Sequence, residues 1–200
     1  MIRVLLVDDH PVVRAGYARF LEQAGDITVV AEAGCATSGY ISYLQHKPDV
    51  TISDISMPTV GGLELLRKIK LRDDDAKVLM CSMYDGAHLV RCALEGGAIG
   101  FVTKNSPPDN LVSGVMSAHQ GKRYVSDDIS LAAFNRTCQD EDDRLSQLTL
   151  RELEIWRLLA QGYTTAECAQ RLNISLKTVA NNQTQIKEKL AVSTTVALVH

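Results

Sequence analysis

Residues 48–58 read PDVTISDISMP, and the fold turns on why four mostly β-forming residues, Val50 to Ser53, run straight into the carboxylate of Asp54. In an open parallel sheet the chemistry gathers outside the carboxyl ends of the strands, so a strand ending on a charge makes sense at such an edge. That reading requires the flanking segments to repeat a strand-then-helix unit.

They do. "IRVLLV" (Ile2 to Val7) is a short β-branched run that reads as a strand buried on both faces. A helix follows: Pro11 suits its first turn, Val13, Tyr17, Phe20, Leu21 and Ala24 share one face at helical spacing, and Gly25 supplies the stop. The unit recurs as "ITVVAEA" with a helix around Thr37 to Gln45, "DVTIS" with a helix from Gly62 to Leu71, and "AKVLMCS" with a helix near Ala87 to Glu95. A fifth strand, "AIGFVT", precedes a helix in which Pro108, Leu111, Val112, Val115, Met116 and His119 follow helical spacing up to Gly121. Five such units predict an α/β fold built on a five-stranded, doubly wound parallel sheet.

Two hundred residues with 46% hydrophobic content can bury one good core or two modest ones. No apolar run approaches the roughly 20 residues needed to cross a bilayer, and "MIRVLLVDDH" turns acidic too early for a signal peptide, so a cytoplasmic location without membrane contact is expected. The five cysteines (Cys35, Cys81, Cys92, Cys138, Cys168) are odd in number and lack paired spacing, which argues against a disulfide framework or a zinc site. They read as small core residues. The net charge of −3 is uneven: from Leu148 onward six Lys or Arg stand against four Asp or Glu, leaving the first 147 residues at −5.

Between Lys122 and Ser146 the periodicity dissolves, and "CQDEDDR" (Cys138 to Arg144) is too acidic to bury much, which places a boundary near residues 135 to 146. Beyond it, Thr149 and Glu152 have the spacing of a capping box, and Leu150, Leu153, Ile155, Leu158 and Leu159 give a helix an apolar side up to Gly162. Two shorter helices are expected, about Thr165 to Leu172 and Leu176 to Leu190, joined by "NIS" with Ser175 as the cap. Helix, tight turn, helix is the outline of a DNA reader.

The strand ends now combine. Asp54 closes the third strand, Asp8 and Asp9 close the first, Ser82 closes the fourth, and Lys104 follows the fifth. Like charges at about 4 Å repel by roughly 4 kcal/mol at an effective dielectric of 20, so converging carboxylates need a counter-charge, and Mg²⁺ with oxygen ligands suits them. Taken singly, each residue has a plainer reading: Asp8 and Asp9 as helix caps, Asp54 as a turn former before Met57 and Pro58, Ser82 as a strand-end hydroxyl, Lys104 as a solvated lysine. Taken together, four strand ends carrying the groups that make and sense an aspartyl phosphate favour a site.

On these residues the amino-terminal part of the chain resembles a response-regulator receiver domain, and the whole resembles the NarL/FixJ group of two-component regulators with a LuxR-type helix-turn-helix. The match runs through Asp8 and Asp9 in "VDDHP", Asp54 in "DISMP", Ser82, and Lys104 in "GFVTK". The resemblance implies a flavodoxin-like receiver over residues 1–122, a linker over 123–146 and a helix-turn-helix DNA-binding domain over 147–200. It implies phosphate accepted on Asp54 from a sensor histidine kinase. It also implies Mg²⁺ or Mn²⁺ held by Asp9, Asp54 and the Ser56 backbone carbonyl, with Asp8 acting mostly through water. Ser82, Phe101 and Lys104 would sense the phosphate; a plain core role is the other reading of Phe101. The chain would catalyse only its own phosphorylation and dephosphorylation, dimerise when activated and bind promoter DNA. "TTVALVH" reads as the opening of a final helix that relatives extend and use to dimerise.

The expected DNA contacts are Lys177, Thr178, Ala180, Asn181, Asn182, Thr184, Gln185 and Lys187, with Val179, Ile186 and Leu190 on the buried side of the helix. Relatives usually carry basic residues and a histidine in the body of this helix, and a backbone-contacting lysine where Ala166 stands here. So lean a set of cations predicts weak non-specific binding and a shallow salt slope. Asn and Gln can still read adenine, each good pair discriminating by about 1 to 3 kcal/mol. Two output readings therefore stand: promoter binding, or a regulator whose charge-poor output domain acts through protein contacts. A hydrolytic phosphatase with an aspartate nucleophile comes third, because the second acid it needs two residues on is replaced by Ser56.

Overall fold

The computed structural model describes residues 1–57, 60–83, 87–129, 148, 150–172, 174–190 and 192. The chain divides into two compact units, residues 1–135 and 136–200. The capping box at Thr149, the acidic stretch Cys138 to Arg144, Pro58 and the "TTVALVH" helix lie outside the described residues.

In the first unit, strands β1 (Ile2–Val7), β2 (Ile27–Ala33), β3 (Val50–Asp54), β4 (Val78–Ser82) and β5 (Gly100–Thr103) alternate with helices α1 (Pro11–Gln23), α2 (Ala36–His46), α3 (Gly62–Arg72), α4 (Ala87–Glu95) and α5 (Pro108–His119). With a further strand, β6 (Tyr124–Val125), all strands pair in parallel in the order β2-β1-β3-β4-β5-β6, so the chain reverses its direction of travel across the sheet at β1 and β3. That reversal opens a crevice at the strand tips.

The sixth strand corrects the sequence reading. β6 (Tyr124–Val125) lies inside the stretch taken as linker and pairs with Gly100 and Phe101 of β5. Two residues are too few to show any periodicity. What admits them is Gly100: a Cβ there would fall 2.4 Å from the Tyr124 carbonyl oxygen. Beyond β6, Ser126 donates its amide to the Phe101 carbonyl, and its Oγ accepts from the Thr103 amide at 3.2 Å.

The strand faces alternate as pleating requires. Ile2, Val4 and Leu6 join Ile52, Leu79, Leu111, Val115 and Ala118 in a core beneath α1 and α5. Val7, on the opposite face, lies so close to Gly39 of α2 that a Cβ there would sit 2.8 Å from a Val7 methyl. Each fully buried Leu, Ile or Val contributes about 1.5 to 3 kcal/mol relative to an exposed one. Helix α1 turns its expected face inward, with Leu21 fully buried and Val13, Tyr17 and Phe20 half-buried, but Ala24 is exposed past the helix end. Cysteine usage is mixed too. Cys81 and Cys168 are buried, whereas Cys35 is half-buried and its sulfur caps α2, accepting from the Ser38 amide at 3.5 Å.

The second unit holds α6 (Leu150–Ala160), α7 (Thr165–Arg171) and α8 (Leu176–Leu190). Leu153, Ile155, Leu158, Leu159, Cys168, Val179, Ile186 and Leu190 form its core. Ser175 caps α8, its Oγ accepting from the Thr178 amide at 3.0 Å, and Thr164 with Glu167 makes a complete capping box on α7. Glu152 is only 1% exposed and pairs with Lys189 at 2.6 Å, tying α6 to α8.

Candidate functional site

Strand register builds the site. Val7 is paired with Ser53, so the next residues, Asp8 and Asp54, emerge side by side. Asp54 is in turn paired with Cys81, and Ser82 with Thr103, which brings Ser82 and Lys104 to the same edge. α3 begins almost on top of Asp54: the Gly62 amide donates to the Ile55 carbonyl at 2.9 Å, and a Cβ on Gly62 would lie 1.9 Å from the Asp54 carbonyl oxygen. Only glycine permits that approach.

The Lys104 ammonium bridges two carboxylates, 2.7 Å from Asp54 Oδ2 and 2.6 Å from Asp8 Oδ2, with all three side chains nearly inaccessible. Asp54 Oδ1 accepts from the Ser56 amide at 3.2 Å. Asp8 Oδ1 accepts from the His10 amide at 2.8 Å, and Arg14 Nη1 donates to the Asp8 carbonyl at 2.5 Å. Burial pushes the Asp54 carboxyl above its usual range, against the pull of Lys104 and with help from Asp8. For Lys104 burial works to lower the ammonium, yet Asp54 and Asp8 outweigh it and hold it above the ordinary lysine value.

Asp9 Oδ1 is buried and makes no hydrogen bond, an arrangement that is costly for a carboxylate oxygen unless a cation meets it. One ligand atom from each of Asp8, Asp9, His10 and Asp54 lies within 4.8 Å of all the others. A hard divalent ion with oxygen ligands fits this donor set. Ser82, buried at the end of β4, accepts the Lys104 amide on its carbonyl at 2.7 Å. Phe101, also fully buried, is paired with Met80 inside the sheet. The loop after β5 is clasped: the Asp128 carboxylate accepts from the Thr103 hydroxyl and from Ser106 Oγ, the latter at 2.6 Å.

On α8, Lys177, Ala180, Asn181, Thr184 and Gln185 are exposed, Thr178, Asn182 and Lys187 are half-buried, and Val179, Ile186 and Leu190 face the core. Two polar side chains turn back on their own helix: Asn182 Nδ2 donates to the Thr178 carbonyl at 2.8 Å, and Thr184 Oγ1 to the Ala180 carbonyl at 3.2 Å. Thr178 Oγ1 lies 2.8 Å from Ser175 Oγ.

Sequence reasoning missed three contributors to the strand-tip site. His10 and Arg14 lie beside the acidic pair, a placement set by how α1 leaves β1. Gly62 carries no chemistry of its own; the paired glycines after Met57 were its only signal.

A parallel sheet of this order, with carboxylates at the tips of its first and third strands and a lysine at the fifth, defines a phosphorelay receiver domain. The sequence profile of the response regulator receiver domain matches residues 4–116, and that of the luxR family of bacterial regulatory proteins matches residues 146–200. The response regulator UvrY of Escherichia coli K12 is 35% identical across 100% of this chain and 93% of its own length. The oxygen regulatory protein NreC of Staphylococcus epidermidis is 36% identical across 94% of this chain and 91% of its own. RcsB of Salmonella enterica serovar Typhimurium, solved on promoter rprA with the phosphomimetic BeF₃⁻, superposes with a TM-score of 0.66 at 26% identity, covering 100% of this chain and 97% of that one. A LuxR-family response regulator from an Aurantimonas species gives 0.65 at 39% identity over 67% of this chain and 95% of its own. The chain belongs to the two-component response regulators of the NarL/FixJ group, a receiver followed by a LuxR-type helix-turn-helix.

Proposed function

We propose that Asp54 accepts phosphate from a sensor histidine kinase and that this controls binding of promoter DNA by α8. The receiver is residues 1–122, the linker 123–146 and the output domain 147–200, with the opening of the linker adding β6 to the receiver sheet. An Asp54 carboxylate oxygen attacks phosphorus, the bond to the donor's leaving group breaks, and the phosphoryl group stays on Asp54. Lys104, already at hydrogen-bond distance, follows the charge onto the phosphoryl oxygens. Ser82 and Phe101 respond to the new group. Asp9, Asp54 and the Ser56 carbonyl would hold Mg²⁺ or Mn²⁺, with Asp8 acting through water. When bound, the ion offsets charge on the equatorial oxygens.

The observation that carries the reading is the Lys104 ammonium held 2.7 Å from Asp54 and 2.6 Å from Asp8 at the strand tips. The chain turns over no external substrate, works in the cytoplasm and pairs with a second copy when phosphorylated. Among the described residues no helix is long and apolar enough to cross a membrane.

The test is phosphorylation by a small-molecule acyl phosphate with Mg²⁺, read by intact mass, followed by titration of labelled promoter DNA at two salt concentrations. Asp54→Asn is expected to take up no phosphate, and uptake at the wild-type rate overturns the assignment. A second output reading, contact with another protein, is favoured by Asn182 and Thr184 each turning a side-chain donor back onto its own helix. Absence of DNA binding in both phosphorylation states selects it.

A further inference from the structure

His10 stands at the N-cap of α1 with an extended backbone, φ −91° and ψ 105°, yet its side chain caps nothing. Pro11 behind it has no amide proton to offer. The imidazole instead turns back to the acidic pair, with Nδ1 3.2 Å from Asp8 Oδ1 and 3.0 Å from Asp9 Oδ1. Asp8 Oδ1 already accepts the His10 amide, and Asp9 Oδ1, although so near the ring nitrogen, makes no hydrogen bond at all. With a proton on Nδ1 these are hydrogen-bond and ion-pair distances; with the Nδ1 lone pair free they are the spacing of adjacent ligands on one ion. Bonds of about 2.0 to 2.1 Å meeting at right angles put their outer atoms roughly 3 Å apart.

We infer that His10 Nδ1 is a further protein ligand of the strand-tip cation and shifts the site's preference toward imidazole-accepting ions such as Ni²⁺ and Co²⁺ relative to Mg²⁺. The inference rests on the reading of Asp9 and Asp54 as metal ligands and extends it by one nitrogen. A ligating imidazole is neutral, with its proton on Nε2 and the Nδ1 lone pair directed at the ion. Carboxylate and carbonyl oxygens alone suit Mg²⁺ and Mn²⁺; an added imidazole strengthens binding along the order Mn²⁺, Co²⁺, Ni²⁺ and does little for Mg²⁺. The ligand atom of His10 already lies within 4.8 Å of those of Asp8, Asp9 and Asp54, so no rearrangement of the backbone is needed.

The test uses the full chain in three forms: wild type, His10→Gln and Asp9→Asn. Affinities for Ni²⁺ and Mg²⁺ come from calorimetric titration, and pulsed electron paramagnetic resonance of bound Mn²⁺ reports whether a nitrogen is directly bonded. His10→Gln is expected to weaken Ni²⁺ by about 10- to 100-fold, leave Mg²⁺ nearly unchanged and remove the nitrogen coupling. Equal losses for both ions, no loss, or no nitrogen coupling in the wild type overturns the role of His10 while leaving the pocket intact. Ni²⁺ binding that survives Asp9→Asn places the ion elsewhere and also overturns it. A wild-type protein that binds no divalent ion sinks the pocket reading itself.

Discussion

Lys104 Nζ lies 2.7 Å from Asp54 Oδ2 with the two side chains only 4% and 1% exposed, so the receiver holds a buried ion pair before any phosphate arrives. Removing one member of such a pair leaves a charge without compensation. Lys104→Met is expected to cost about 3 kcal/mol in metal-free buffer, the lower end of the usual range because protonation of a neighbouring carboxylate relieves part of it. Added Mg²⁺ should recover some of the loss. Urea denaturation with and without the ion measures both effects.

The pair also sets a pH dependence. The folded lysine is held above its unfolded value of about 10.4, so its contribution is fully present below that pH and is lost as pH rises through the higher folded value. Thermal melts of wild type and Lys104→Met should therefore converge only in strongly alkaline buffer.

Gly62 offers a test of positioning. A methyl group there cannot coexist with the Asp54 carbonyl oxygen 1.9 Å away, so Gly62→Ala must displace either the start of α3 or the end of β3. Overpacking of this kind costs about 1 to 3 kcal/mol. Phosphorylation by an acyl phosphate should slow even at temperatures where the variant remains folded, as intact-mass time courses would show.

Asp128 fastens β6 to the loop that carries Lys104 through Thr103 and Ser106. Burial works to raise the Asp128 carboxyl, yet the hydrogen bonds from Ser106, Thr103 and Ser126 together outweigh it and hold the group below its usual range. Asp128→Ala is expected to destabilise by about 1 kcal/mol, since the carboxylate is exposed and screened by solvent. The diagnostic is local: amide exchange should quicken at Ser126 and Thr103 while β1 and β3 stay protected.

In the second unit, Thr164→Ala removes the cap of α7 and should cost about 1 kcal/mol. The Thr164 amide and hydroxyl both donate to Glu167 and hold its carboxyl below the usual range. A depressed carboxylate contributes stability above its unfolded value, near 4.3 or roughly so, and loses it as pH falls through the folded value. Acid melts of wild type and Glu167→Gln should therefore draw together at low pH.

Local patterning determined much of this protein. Five strand-helix alternations placed the sheet, and the ends of four strands placed Asp8, Asp9, Asp54, Ser82 and Lys104, because a parallel sheet sends all its carboxyl ends to one edge. The apolar spacing of α8 likewise separated Val179, Ile186 and Leu190 from the exposed Asn181, Thr184 and Gln185. Only tertiary structure decided the rest. β6 is too short to show a period and depends on the missing Cβ of Gly100. Glu152 meets Lys189 of α8, a contact that its spacing from Thr149 does not announce. His10 joined the acidic pair through the bend between β1 and α1, and Lys104 reached Asp8 as well as Asp54 through the register of four strands. Periodicity reports how each segment divides core from solvent, whereas contacts between distant segments depend on register and close approach, which no single stretch of sequence contains.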